Sequence, residues 1–169
     1  MADKYTGISG NDIVEVEGTV VSTGVAEAGD VVALDATGKI DNSLLPTGIG
    51  ADTKTLVSSE NLSAGDFINV FNDGGTEKAR KADATTAGKE ADGFVLAAVT
   101  APANATVYFE GLNDQLTGLT RGAKQFLSTT AGGRTETAPA ATGNVYQYLG
   151  RAVSDTEIAF EHGEAITRA

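Results

Sequence analysis

The chain has 169 residues, 21 glycines, one methionine and no cysteine or tryptophan, and its formal net charge is −11. That length fits one domain, or one domain with an extended arm. The lack of thiols excludes disulfides and thiolate metal sites, and the acidity opposes binding a nucleic-acid backbone, which requires Lys and Arg to displace counterions.

The hydrophobic fraction is 41%, but aromatic residues make up only 6%. Much of the remainder is alanine, so thin cores are expected, with subunit association adding burial. No apolar segment approaches the ~20 residues that span a bilayer. Met1-Ala2-Asp3-Lys4-Tyr5 has neither the basic nor the apolar region of a signal peptide. The expectation is a protein made in a cytoplasm that leaves it only within a larger particle.

In chain order, residues 1 to about 24 begin polar and glycine-containing. Ile13-Val14-Glu15-Val16-Glu17 and Thr19-Val20-Val21 then read as short β segments, with a bend at Gly18. This stretch reads as a strand of the domain or as an extended arm laid on a neighbouring subunit, and the arm is the expectation. Val25 to Asp30 leads into the apolar run Val31–Leu34, and then a turn at Gly38. Asp41 or Asn42 can cap a short helical turn over Ser43–Leu45, which Pro46 stops. Leu44 and Leu45 are left as an apolar plug, expected to enter the core of their own subunit.

From Thr55 onward the pattern is β. Strands are predicted at 55–57, 67–71, 78–81, 93–99, 106–109, 125–127, 145–152 and 158–160, separated by turn residues such as Asn72-Asp73-Gly74-Gly75. Helical turns could occupy 83–88 and 113–117, and 164–169 reads as a loose tail. Short strands without useful helical periodicity predict an all-β fold, a small β-barrel or β-sandwich. The predicted parts are an arm with a first strand–turn repeat at 1–55, a β domain at 56–163 and the tail at 164–169.

A phrase recurs along the chain. Leu62-Ser63-Ala64-Gly65-Asp66 leads into the strand at 67–71, and Leu119-Thr120-Arg121-Gly122-Ala123 into the strand at 125–127. Gly93-Phe94-Val95 then matches Gly150-Arg151-Ala152, and Val107-Tyr108-Phe109-Glu110 matches Ile158-Ala159-Phe160-Glu161. Pseudo-duplicated halves, 62–111 and 119–163, are predicted. Repeated strand–turn units point to a scaffold.

Catalytic chemistry finds little to work with. His162 is the one histidine, and no Gly-x-Ser-x-Gly elbow accompanies it; it reads as a surface turn residue. One imidazole and no thiolate make a zinc site poor. Asn72-Asp73-Gly74 lacks the spaced ligands and closing glutamate of a calcium loop. Asp30 and Asp66 follow glycine at equivalent repeat positions and are expected to bond their own turns. The dense cationic cluster Lys78, Arg80 and Lys81 is expected at a hairpin end. No catalytic, metal or cofactor site is predicted, and no enzyme.

Leu34-Asp35-Ala36-Thr37-Gly38-Lys39-Ile40-Asp41-Asn42-Ser43-Leu44-Leu45-Pro46 resembles a phrase frequent in structural proteins of tailed bacteriophages. Gly65-Asp66 through Ala82-Asp83, with Ala91-Asp92-Gly93-Phe94-Val95, resembles the small phage capsid decoration (cement) proteins. Phe126-Leu127-Ser128 through Tyr148-Leu149-Gly150 is similar to a β module of phage head and tail appendages. The resemblance implies a non-enzymatic virion protein on the outer surface of the capsid, often trimeric, that stabilises the lattice. Its partners would be the major capsid protein and other copies of itself, with no nucleic acid and no membrane. The residues expected to carry capsid or subunit contacts are Tyr5, Ile13, Val14, Val16, Val20, Leu44, Leu45 and Pro46. A head or tail fibre component is the alternative, as is a carbohydrate-binding appendage using Tyr108, Tyr146 and Tyr148, although strand tyrosines usually pack.

Overall fold

A computed structural model describes residues 4–45 and 51–169. The chain divides into two compact units, Met1–Gly50 and Ala51–Ala169.

In the N-terminal unit, β1 (Lys4–Ser9) and β2 (Asp12–Glu17) form an antiparallel hairpin. The segment predicted at 13–17 is β2; the expected extended arm is therefore folded back on itself. Gly10 turns the chain with a φ of 66°, which costs a residue without Cβ little. Strand alternation places Tyr5, Gly7, Val14 and Val16 on one face, all half-buried. The other face carries Lys4, Thr6, Ile8, Ile13, Glu15 and Glu17. The β segment expected at Thr19–Val21 reduces to one parallel bridge, Thr19 to Val32. There the Thr19 N–H donates to the Val31 carbonyl at 2.8 Å and the Ala33 N–H to the Thr19 carbonyl at 2.9 Å. Val31–Leu34 is accordingly a bridge and not a full strand of a first repeat.

Carboxylates organise the turns that follow. Asp35 Oδ1 accepts from the Thr37 N–H, the Thr37 hydroxyl and the Lys39 N–H at 2.7–2.9 Å, closing the expected turn at Gly38. Asp41 Oδ1 accepts from the Ser43 N–H at 2.9 Å and caps a single 3-10 turn, Asn42–Leu44. Asp30, expected to bond its own turn, instead accepts from the Thr19 hydroxyl at 2.8 Å.

The second unit is all β among its described residues. β3 (Thr53–Ser58), β4 (Phe67–Asp73), β5 (Thr76–Lys81), β6 (Gly93–Phe94) and β7 (Asn104–Tyr108) close a barrel in the order β3-β5-β4-β6-β7. Thr53 already pairs with Tyr108, so the barrel starts before residue 56. β8 (Gly111–Asn113), β9 (Lys124–Leu127), β10 (Arg134–Thr135), β11 (Val145–Ala152) and β12 (Ile158–Phe160) form an open sheet ordered β10-β9-β11-β12-β8. β13 (Ala165–Thr167) pairs with the start of β11. The predicted loose tail is therefore docked, and the Arg168 guanidinium lies 5.1 Å from the centre of the Tyr146 ring. The strand predicted at 93–99 shortens to β6, with Val99 kept only as a bridge to Leu62. Residues 83–88 and 113–117 contain no helical turn.

Barrel and sheet repeat one pattern. Read from β5 the barrel runs β5-β4-β6-β7-β3, and the sheet runs β10-β9-β11-β12-β8, strand for strand in the same order. Their turns are bonded alike. The Gly65 N–H donates to the Val95 carbonyl and the Gly122 N–H to the Ala152 carbonyl, both at 2.8 Å. The Val95 N–H returns to the Asp66 carbonyl at 3.1 Å, and the Ala152 N–H to the Ala123 carbonyl at 3.0 Å. The predicted duplication is thus present as topology and as hydrogen bonding. The halves differ in closure. β3 and β5, six residues each, reach one another at Val57–Lys78 and Ser58–Ala79, whereas their counterparts β8 and β10 have three and two residues and leave the sheet open.

One core fills the barrel: Leu56, Leu62, Ile68, Ala79, Val95, Ala105 and Val107. A second joins the halves around Phe67, Phe94, Leu127, Leu149, Ile158 and Phe160. Phe160 packs its ring 5.8 Å from Phe67 and 5.5 Å, edge-on, from Phe94. Each such buried phenylalanine contributes roughly 1.5–3 kcal/mol by burial. Gln147, fully buried, accepts from the Ala91 N–H at 2.7 Å and donates to the Ala91 carbonyl at 2.8 Å. That amide joins β11 to the barrel half without leaving a buried polar group unpaired.

Candidate docking surface

The described residues of the N-terminal unit form little core for their apolar content. Ala33 is its one buried apolar residue among those described. Among the described residues, eight of the eleven exposed large hydrophobic side chains belong to this unit, including Ile8 at 82%, Ile13 at 78% and Val25 at 92% exposure. Scattered exposed aliphatics are ordinary, but a unit that leaves this many uncovered presents a surface suited to a partner.

Two features shape that surface. Ile8 and Ile13 are directly opposite each other at the turn end of the hairpin. Tyr5 contributes instead to a groove of about 230 Å³ lined by Gly18, Val31, Val32, Ala33 and Leu34. Among the contact residues expected from sequence, Tyr5, Val14 and Val16 share the half-buried hairpin face, while Ile13 points to the opposite one. Val20, Leu44 and Leu45 are half-buried. Leu44 and Leu45 belong to neither core cluster, so the plug does not enter the core as expected. Pro46 lies outside the described residues. Ile8 was not named individually from sequence; its exposure and its register opposite Ile13 single it out.

The cations of the β4–β5 hairpin are spent on internal contacts. Lys78 pairs with Asp73 at 2.6 Å and Lys81 with Asp66 at 3.3 Å. Arg80 reaches Asn69 Oδ1 and the Gly88 carbonyl and lies 4.4 Å from the centre of the Phe71 ring. The cationic cluster thus belongs to the β4–β5 hairpin. Asp66 also accepts from the Ser63 N–H at 2.8 Å, the turn role expected of it. Tyr108 stacks on Phe94, and Tyr146 and Tyr148 pack on Phe126 at 5.3 and 6.0 Å, so all three tyrosines serve packing.

A cavity of about 550 Å³ is lined by Asp52, Lys54, Val70, Glu77, Asp92, Phe109 and His162. Lys54 and Glu77 form an ion pair across it. Asp92 accepts from the Val70 N–H at 2.7 Å and from Asn69 Nδ2 at 3.2 Å. Burial raises its carboxyl above the ordinary range, against the opposing pull of that N–H and of nearby His162. Among the described residues no group of three or more His, Asp or Glu is placed to hold a metal ion, and no helix is long and apolar enough to cross a membrane.

No family model, curated protein sequence or solved structure matches this chain.

Proposed function

We propose that this protein is a non-enzymatic decoration protein that binds the outer surface of a tailed-phage capsid and stabilises the lattice, assembling as a homotrimer. The observation that carries the proposal is the N-terminal unit: its described residues include many exposed aliphatic side chains and one buried apolar residue, Ala33, whereas the duplicated β unit has two complete cores. A rigid scaffold bearing an under-packed apolar unit is what a clamp requires, because the clamp buries its apolar surface only on the lattice. The phrases at 34–46 and 65–95, which resemble phage structural and cement proteins, support the same assignment.

The mechanism is mass action. A DNA-filled shell is under outward stress, and a protein that binds only the expanded lattice lowers the free energy of that state. The groove around Tyr5, Val31 and Leu34 and the Leu44-Leu45-Pro46 segment are the proposed capsid contacts. The net charge of −11 keeps the outward surface soluble at high local concentration.

The test is sedimentation and negative-stain imaging of expanded, empty capsids of the encoding phage with added protein. Full-length chain should decorate them, and a chain starting near Val25 should bind markedly less while its β unit stays folded. Undiminished decoration by the shortened chain refutes the role of the hairpin unit. Decoration of fibres or tails in place of the shell refutes the capsid assignment.

A further inference from the structure

The register of the open sheet places four residues in one row on its outer face: Lys124 opposite Arg151, Arg151 opposite Ala159, and Ala159 opposite Leu112. The neighbouring row, Gln125, Gly150, Phe160 and Gly111, turns toward the core, where Gln125 is fully buried and Phe160 nearly so. Lys124 and Arg151 are exposed like charges directly opposed, an arrangement that destabilises a strand pair. Neither has a carboxylate within ion-pair distance among the described residues, and the Arg151 guanidinium donates to the Gly122 carbonyl. Leu112, on the edge strand β8, is 53% exposed at the other end of the row. An acidic protein has thus placed two exposed cations and an exposed leucine in one row of this sheet face.

The chain also carries the complement of that row. On the outer face of the β1–β2 hairpin, the Ile8–Ile13 pair is followed along the strands by Thr6–Glu15 and then Lys4–Glu17. Lys4 bonds Glu15 at 2.8 Å and lies 4.0 Å from Glu17, which leaves one carboxylate charge in excess. Strand rise places Glu15 and Glu17 about 7 and 14 Å from Ile13. Strand spacing places Arg151 and Lys124 about 10 and 14 Å from Leu112. Apolar end meets apolar end and acid meets base when the hairpin crosses the sheet strands steeply, as in orthogonal sheet packing.

We propose that the outer hairpin face of one copy docks on the outer face of the open sheet of a second copy, with Ile8 and Ile13 on Leu112 and with Glu15 and Glu17 on Arg151 and Lys124. The inference rests on the self-association within the proposed function and is independent of the capsid. Two different surfaces meet, so the contact is heterologous, the kind of contact that a cyclic homotrimer repeats.

The absence of cysteine from the chain makes the test clean. An Ile8→Cys chain carrying an affinity tag is mixed with an untagged Leu112→Cys chain under thiol–disulfide exchange. A mixed disulfide should form well above a control in which Val25→Cys replaces Ile8→Cys. In sedimentation experiments, Lys124→Glu with Arg151→Glu should weaken association about tenfold or more, and adding Glu15→Lys with Glu17→Lys to that chain should restore it, which a folding defect would not allow. A wild-type chain that sediments as a monomer at every concentration overturns this contact and the self-association together. An oligomer that gives no mixed disulfide above control, or whose disulfide forms only when both cysteines are in one chain, overturns the contact alone and leaves capsid binding standing.

Discussion

Gly93 and Gly150 occupy the same position in the two halves of the β unit, and each lies against the backbone of the adjacent strand. A Cβ on Gly93 would lie 2.4 Å from the Tyr108 carbonyl oxygen, and one on Gly150 would lie 1.9 Å from the Ala159 carbonyl oxygen. Tyr108 and Ala159 are themselves counterparts. The duplication therefore extends to where the chain requires a missing side chain.

Gly150→Ala should consequently be the more damaging of the two changes. Its φ of 124° adds backbone strain to the steric overlap, and a cost of about 3 kcal/mol is expected, against about 2 kcal/mol for Gly93→Ala. Urea unfolding of both variants checks this; a neutral Gly150→Ala would show that the two strands are not held this close.

Gln147→Leu tests the link between the halves. It removes the acceptor for the Ala91 N–H and the donor to the Ala91 carbonyl, leaving both groups buried and unpaired. A loss of about 2–4 kcal/mol is expected. An unchanged unfolding midpoint would mean that water replaces the amide.

Asp92 gives a pH dependence of defined sign. Burial raises its folded pKa above the ordinary value of 3.8, so the folded chain holds the proton more tightly than the unfolded chain. Stability is lost as pH rises from about 3.8 through the raised value. Asp92→Asn keeps an acceptor for the Val70 N–H and removes the charge. The variant should be at least as stable as wild type at neutral pH, and the stability difference should shrink as the medium is acidified below the ordinary carboxyl range. Urea midpoints across a pH series check it; a variant less stable at pH 7 contradicts it.

Asp35 has the opposite sign. The Lys39 N–H and then the Thr37 hydroxyl hold its carboxyl below 3.8, so the turn it closes is held above that pH and released as pH falls through the lowered value. Amide exchange at Thr37 and Lys39, corrected for intrinsic rates, should lose protection there before exchange in β9 and β11 changes. Simultaneous loss at both places would tie the turn to global unfolding.

The sequence was most legible where alternation and glycine acted together. β11 and β12 lie at their predicted bounds because Val145, Gln147 and Leu149 alternate with half-buried tyrosines, and Ile158 and Phe160 flank one small residue. The Gly65 and Gly122 turns were legible because both need a positive φ. β1, β8, β10 and β13 were missed: β8, β10 and β13 span only two or three residues, Gly7 interrupts β1, and each exists through its partner, not through its own pattern. For the same reason only part of the contact surface could be read. Ile13 stood out in an apolar segment, but Ile8 and the row formed by Lys124, Arg151 and Leu112 emerge only from cross-strand register. The Leu44-Leu45 pair looked like a core plug because apolarity in sequence does not say what covers it.

The measurement that bears most directly on a capsid-stabilising role is the thermal release of DNA from phage particles that carry the protein and from particles that lack it. With assembly otherwise intact, particles lacking the protein should release DNA at a lower temperature, and adding back the purified chain should restore the higher one. Release at the same temperature with and without the protein would contradict the role.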